Sequence, residues 1–235
     1  MLGEDGKQGR MFEVHNVLGT AGSAVPRFDD GLVQDGFQGT LYQRFCKRGF
    51  DVLLSVVALV ALIPVLLVIT TLVRAKLGPG VIYRQARVGR DGRNFVMLKF
   101  RTMRHPTAKE DDDNIGDALH KTSDHPRVTQ FGRALRRLSL DELPQLWNVI
   151  RGQMSLVGPR PELSEKVDGH GLRSHPRHLV RPGLTGEWQV TRRSSGIHLI
   201  HCFDEDMRYV DRISMWQDLR IMARTFGAVL GARGI

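Results

Sequence analysis

Cysteine is scarce in this 235-residue chain, and so are aromatic side chains. Its two cysteines, Cys46 and Cys202, have neither the spacing of a zinc site nor that of a disulfide framework, so we expect reduced thiols in a cytoplasmic chain. Aromatic residues make up 7% of the sequence and form no RNA-binding signature. No apolar core follows the first charged residues, so no signal peptide is predicted. These shortages exclude a disulfide-rich secreted domain and a zinc-finger module.

Acidic residues are also in short supply relative to basic ones. The chain holds 25 Asp and Glu against 34 Lys and Arg, which gives a formal net charge of +9. Such a balance implies an anionic partner, which can be nucleic acid, anionic lipid or a phosphorylated substrate. Charge alone does not choose among these partners. The length suits one domain with appendages.

One long stretch lacks charge entirely. Val52–Val73 is an uncharged run of 22 residues, long enough for a transmembrane helix. Pro64 lies near its centre, where proline removes a backbone hydrogen bond and kinks a helix. Basic residues flank both ends, with Arg44, Lys47 and Arg48 before the run and Arg74 and Lys76 after it. Because this pattern sets no orientation, it favours a bent, re-entrant helix whose two ends face the cytoplasm.

Shorter patterns follow this run. Val81–Arg87 and Phe95–Phe100 are predicted strands of a hairpin, since Gly89–Gly92 between them is a turn signal. Val128–Leu138 is predicted to be a basic amphipathic helix; it either packs on the core or lies on anionic headgroups. Trp188–Val190 is predicted to be a short strand.

Two adjacent carboxylates, Asp141 and Glu142, lie in the most arginine-rich part of the chain. Helical spacing of apolar residues predicts a helix over Leu143–Ile150, and Pro144 fits only its first turn. The helix therefore starts near Asp141–Leu143. One interpretation is a capping box between Ser139 and Glu142. The other is an ionised Asp beside a bound phosphate at a helix N-terminus, the arrangement of an aspartyl-phosphate intermediate.

Several motifs in a fixed order carry a family resemblance. They are Lys47–Asp51, Lys99–Met103, Ser139–Gln145, Met154–Pro161, Arg181–Gly186 and Trp188–Val190. In this order they closely resemble the bacterial sugar transferases, which are monotopic polyprenyl-phosphate phosphoglycosyl transferases. The match covers roughly residues 47–235. The sequence departs from the family pattern at Ile63, where the family usually has Ser, and at Arg192, where it commonly has Gly.

The resemblance implies an α+β fold. It has an N-terminal re-entrant membrane helix and a mostly helical cytoplasmic catalytic domain, with a small β-hairpin or sheet and interfacial amphipathic helices. Residues 1–40 are then a flexible tail, 41–76 the membrane-associated segment and 77–235 the catalytic domain. The implied location is the cytoplasmic face of the bacterial inner membrane, with a possible homo-oligomer.

The implied activity is transfer of a sugar 1-phosphate from a UDP-sugar to a polyprenyl phosphate, which initiates polysaccharide or glycoconjugate assembly. Asp141 is the expected nucleophile of a covalent intermediate, and Glu142 positions it or holds the metal. Mg²⁺ is the expected cofactor, held by Asp141 and Glu142 to neutralise the diphosphate. The candidate substrate-binding residues are Lys99, Arg101, Arg136, Arg160 and Arg193. Membrane lipids are expected partners and nucleic acid is not.

Two alternatives remain open. A membrane-tethered basic binding protein would explain the charge and the apolar run, but acids within the arginine-rich segment would weaken its phosphate binding. A direct metal-dependent glycosyltransferase could use Asp111 and Asp113. It would release UDP, whereas a phosphoglycosyl transferase releases UMP.

Overall fold

A computed structural model describes residues 40–105, 126–191 and 202–231. Most of the predicted tail, residues 1–39, lies outside the described residues. The same is true of Asp111, Asp113, Arg192 and Arg193. The described part is mostly helical and contains two small sheets. This architecture confirms the α+β fold class.

The elements follow each other with short connections. The helices are α1 Lys47–Ala61, α2 Ile63–Leu77, α3 Gln130–Arg137, α4 Gln145–Ile150, α5 Ser164–Gly169, α6 Glu187–Thr191, α7 Cys202–Asp211 and α8 Met215–Leu230. The strands are β1 Ile82–Val88, β2 Asn94–Phe100, β3 Ser155–Val157 and β4 Gly183–Thr185. A π-helical turn, Tyr42–Cys46, precedes α1, and 3-10 turns cover Arg90–Gly92, Leu140–Glu142 and Pro176–Leu179.

The apolar run forms two helices that meet at a sharp bend. Tyr42–Ala61 and Ile63–Leu77 are inclined at 65° to each other, and Pro64 lies in the first turn of α2, where its missing N–H breaks no helical bond. The predicted kink is therefore confirmed. Within the described residues no single helix has the length and apolarity to cross a membrane; only this bent pair taken together does, by length and composition.

The hairpin forms as predicted. Strands β1 and β2 pair antiparallel, from Ile82 opposite Phe100 to Val88 opposite Asn94. The connecting turn needs positive φ at Asp91 (56°) and Gly92 (67°), and residues of these types tolerate that conformation. The second sheet is the parallel pair β3 and β4. By contrast, Trp188–Val190 lies in helix α6, so the strand predicted there is wrong; the tertiary context overrides its β-propensity.

Asn148, which is buried in α4, joins that helix to the hairpin. Its Nδ2 donates to Val96 O at 2.7 Å, and its Oδ1 accepts from Leu98 N at 3.0 Å. These are backbone groups on the edge of β2 that faces away from β1. The side chain therefore satisfies a strand edge that would otherwise be buried without partners.

A buried ion pair joins the start of α1 to helix α8. Lys47 Nζ lies 2.6 Å from Asp218 Oδ2, and both side chains are buried. Asp218 also accepts from Tyr42 OH at 2.9 Å and from Tyr209 OH at 2.8 Å. These bonds compensate for burying the charges, which is costly when a charge lacks partners.

Two further side chains of α1 form hydrogen bonds with residues from the middle of the sequence. Asp51 accepts from Ser155 Oγ at 2.7 Å and from Leu156 N at 3.3 Å, at strand β3. Arg48 donates to Val149 O at 2.6 Å and Ile150 O at 2.8 Å, the last carbonyls of α4. Lys47 and Arg48 thus bind protein groups, so the sequence argument that counted both as flanking charges of the apolar run needs correction.

We predict that Lys47→Met lowers the free energy of unfolding by about 3–5 kcal/mol, because it leaves the buried Asp218 without its cation. Thermal and denaturant unfolding of the purified protein in detergent measures the change. Arg44→Met is the matched control, since it removes an exposed cation of the same segment. Equal stability of the two variants would show that the ion pair contributes nothing to the fold.

Candidate active site

Asp141 and Glu142 lie in the 3-10 turn between α3 and α4. Ser139, with φ of 55°, starts this turn, and Pro144 is the N-cap of α4. The helix therefore begins at Gln145, two to four residues later than predicted. The predicted capping box is absent, because the left-handed conformation of Ser139 leaves its buried Oγ without a hydrogen-bond partner among the described residues. Both carboxylates are nevertheless buried, 7% and 9% exposed.

Cations surround the two carboxylates. Lys99 Nζ donates to Glu142 Oε1 at 2.7 Å. Arg136 Nε donates to Thr102 Oγ1 at 2.9 Å, which holds its guanidinium near Asp141. Burial raises the pKa of Asp141, the charges of Lys99 and Arg136 lower it, and the neighbouring Glu142 raises it further. Overall the pKa of Asp141 is raised. Desolvation of the buried carboxylate is therefore the largest of these effects.

A narrow cleft opens beside this turn. It is lined by Arg87, Met97, Lys99, Glu142, Gln145, Arg160, Pro161, Gly183, Leu184 and Gln189. Three polar atoms of these residues are buried and have no hydrogen-bond partner among the described residues: Arg87 Nε, Gln145 Nε2 and Gln189 Oε1. Buried polar groups are rarely left unpaired in folded proteins. All three belong to residues that line one cleft, which favours a polar ligand there.

Arg160 reaches the cleft from the turn that follows β3. Its guanidinium lies 5.4 Å from the ring centre of Trp188, a cation–π distance. Burial and the charge of Arg160 lower the pKa of Arg87 to about 10, so Arg87 still carries its charge at neutral pH. Two guanidinium groups close enough to repel each other favour an anion between them.

Two buried arginines hold the backbone of this turn. Arg177 Nη2 donates to Arg160 O at 2.7 Å, and Arg87 Nη1 donates to Pro161 O at 3.1 Å. Arg177 in turn lies 2.6 Å from Asp206 on α7, both 2% exposed at the side chain. These contacts hold the backbone that carries Arg160 in one position. Less conformational entropy is therefore lost when Arg160 binds a ligand.

Glycines form the opposite wall, where β3 and β4 approach closely. Gly158 N donates to Thr185 O at 2.9 Å, and Gly183 N donates to Pro159 O at 2.8 Å. A Cβ added at Gly183 would lie 2.2 Å from Gly158 N, and one at Gly158 would lie 2.5 Å from Arg181 O. These positions require glycine because backbone meets backbone.

The structure brings together most of the residues that the sequence singles out. Lys99, Glu142 and Arg160 line the cleft, and Asp141 and Arg136 lie beside it. Arg101 does not line it: its Nη2 donates to Leu77 O at 2.5 Å and Gly78 O at 2.8 Å, at the end of α2. Arg193 lies outside the described residues.

Sequence reasoning missed four residues of this region: Arg87, Gln145, Gln189 and Arg177. Gln145 and Gln189 belong to motifs that were recognised, so the motifs themselves were the available signal. Arg87 lies near the end of a strand and Arg177 lies in a turn-rich segment. No local sequence pattern predicts a functional role for either residue.

Asp141 and Glu142 are also the candidate metal ligands. Among the described residues there is no group of three or more His, Cys, Asp or Glu side chains that could hold a metal ion. Mg²⁺ is commonly held by only one or two carboxylates, together with water and substrate phosphates. The donor set of this turn therefore fits Mg²⁺ better than a metal held entirely by protein ligands.

Comparison with known proteins shows similarity to bacterial sugar transferases. The family model described as bacterial sugar transferase matches residues 42–232. The exopolysaccharide production protein ExoY of Sinorhizobium fredii is 39% identical over 201 residues, which cover 80% of this chain and 87% of that protein. The UDP-galactose-lipid carrier transferase of Erwinia amylovora is 37% identical over 204 residues, covering 81% and 42%.

A third relative is the undecaprenyl-phosphate galactose phosphotransferase of Salmonella typhimurium. It is 37% identical over 200 residues, which cover 81% of this chain and 42% of that protein. The chain therefore spans most of the ExoY protein and less than half of the other two relatives.

We predict that Gly183→Ala lowers the free energy of unfolding by about 1–3 kcal/mol, the usual effect of overpacking, because the new Cβ separates β3 from β4. The same shift displaces Arg160 and reduces turnover. Denaturant unfolding and initial rates measure both effects. Gly169→Ala is the control, since no atom lies within 4 Å of its added Cβ. Unchanged behaviour of Gly183→Ala would contradict the close packing described above.

Proposed function

We propose that this chain, which belongs to the bacterial sugar transferase family, moves a sugar 1-phosphate from a UDP-sugar to a polyprenyl phosphate. The observation that carries the proposal is the buried Asp141–Glu142 pair beside a cationic cleft with three unpartnered polar atoms. The names of two relatives support these substrates, since one is an undecaprenyl-phosphate galactose phosphotransferase and the other is a UDP-galactose-lipid carrier transferase.

The cationic side of the cleft would bind the diphosphate of the donor. Arg160 presents a guanidinium fork suited to phosphate oxygens. Arg87 adds positive charge beside it, although its two Nη atoms already donate to Pro161 O and Gln85 Oε1. The enclosed space is only about 10 Å³, room for about one water molecule, so the donor must displace side chains. We propose that it competes with Glu142 for Lys99, because an incoming diphosphate offers that ammonium group a second anion.

The reaction needs two displacements at one phosphorus. First a carboxylate oxygen of Asp141 attacks the β-phosphorus; a new P–O bond forms, the bond to the bridging oxygen breaks, and UMP leaves with that oxygen. Then an oxygen of the polyprenyl phosphate attacks the same phosphorus. The bond to Asp141 breaks, the carboxylate is restored and a polyprenyl diphosphate sugar leaves. No proton transfer is required in either step.

Asp141 must be ionised to attack. Its buried setting removes the water that would otherwise stabilise the charge and so raises the pKa of Asp141, while the charges of Lys99 and Arg136 lower that pKa and favour the ionised form. Mg²⁺ would be held by Asp141, Glu142 and the donor's own phosphates, and when bound it neutralises charge on the diphosphate.

The bent helix pair would place this site at a membrane surface. We propose that α1 enters the lipid from the cytoplasmic side and that α2 returns the chain to the same side. The 65° bend supports this topology, as do the exposed apolar side chains on both helices, among them Leu53, Val57, Val60, Leu67 and Val68. A site at the surface can take one substrate from water and the other from lipid.

We predict that Asp141→Asn abolishes both a covalent phospho-sugar adduct and UMP release, because an amide is a poor nucleophile at phosphorus. Intact-protein mass spectrometry with UDP-glucose or UDP-galactose, Mg²⁺ and no acceptor detects the adduct, and peptide mapping locates it. Glu142→Gln should slow the reaction while the adduct stays on Asp141. An active Asp141→Asn protein, or UDP instead of UMP as product, would refute the proposed function.

The raised pKa of Asp141 predicts an acidic limit on activity. Only the ionised carboxylate reacts, so kcat/KM for the UDP-sugar should fall as pH drops through a midpoint above the ordinary Asp value of about 3.9. Lys99→Met should move this midpoint to higher pH, because the charge of Lys99 lowers the pKa of Asp141. Arg84→Met, which removes an exposed cation outside the cleft, should leave the midpoint in place. A midpoint unaffected by Lys99 would contradict the assignment.

A further inference from the structure

Helices α2 and α3 leave an apolar groove between them. The groove has a volume of about 430 Å³, within the range of small-molecule pockets. Val65, Val68 and Leu72 line it from α2, and Ala134 and Leu135 line it from α3. Several of these side chains make few contacts within the protein, so they offer a surface against which an apolar chain can pack.

One end of the groove lies next to the turn that carries the candidate nucleophile. Leu140 lines it and directly precedes Asp141 in the same 3-10 turn. Near this end α3 carries two basic residues in its last turn, Arg136 and Arg137. An amphiphile with a phosphate at one end and an apolar chain behind it would match this order of cations and apolar surface.

Resting on the proposed function, we infer that this groove binds the isoprenoid chain of the acceptor next to its phosphate. The chain lies between α2 and α3, passes Leu140 and thereby brings the acceptor phosphate to the phosphorus held on Asp141. A sugar nucleotide does not suit the groove, because its lining residues offer no polar side chain. The groove thus sets the direction from which the second substrate approaches.

The experiment fills the groove with a large side chain. Ala134→Trp does so, while Ala75→Trp places the same side chain at an exposed position of α2 that does not line the groove. Initial rates are measured in detergent micelles with undecaprenyl phosphate as acceptor. We expect Ala134→Trp to raise KM for undecaprenyl phosphate by about tenfold or more, the effect of losing about two buried methylene groups. KM for the UDP-sugar should change far less.

A second pair of variants guards against a folding defect. Val68→Trp fills the groove from α2, and Leu67→Trp alters the neighbouring exposed residue, which does not line it. The two groove variants should behave alike and the two controls should resemble the wild type. Equal KM for undecaprenyl phosphate in groove and control variants would overturn the inference.

A binding measurement separates this inference from the proposed reaction. Native mass spectrometry should detect undecaprenyl phosphate on the wild type and on Ala75→Trp, and lose it on Ala134→Trp, whether or not UMP is ever released. If the wild type binds the lipid in this way but releases no UMP, the proposed function fails and the groove stands. If phosphatidylglycerol displaces undecaprenyl phosphate with equal potency, the groove is a general acyl-chain site and the inference is overturned.

Discussion

The buried ion pair between Lys47 and Asp218 is the contact on which the arrangement of the molecule depends. It joins the first turn of α1 to α8, and within two turns of it Arg48 binds the end of α4 and Asp51 binds β3. Helix α4 follows the Asp141–Glu142 turn, and β3 leads to the Arg160 turn. One short polar face of a largely apolar helix therefore positions both sides of the cleft.

Two kinds of arginine can be distinguished among the described residues in and around the cleft. Arg48, Arg87, Arg101 and Arg177 donate to backbone carbonyls at helix ends and turns, which satisfies acceptors that would otherwise be unpaired. Arg160 instead faces the cleft. The net charge of +9 therefore overstates the charge available to an anionic ligand, because part of it stabilises the fold.

Local signals were enough to predict much of the fold. Pro64 located the bend, the Gly89–Gly92 signal located the hairpin, and apolar spacing located α3 and α4. Contacts between distant residues could not be predicted in this way: Arg101 binds carbonyls more than twenty residues away, and Arg48 binds carbonyls about one hundred residues away. The supposed capping box failed because the φ of Ser139 is not visible in the sequence. The family motifs, by contrast, pointed to Lys99, Glu142 and Arg160, which share one cleft.

The side chain of Asn148 has a consequence for assembly. By occupying Val96 O and Leu98 N, it takes the backbone groups that an incoming strand would need for edge-to-edge pairing. A second copy of this chain that added a strand at this position would first have to displace the Asn148 side chain. Because Asn148 lies in α4, the helix that follows the Asp141–Glu142 turn, such pairing would also disturb the cleft.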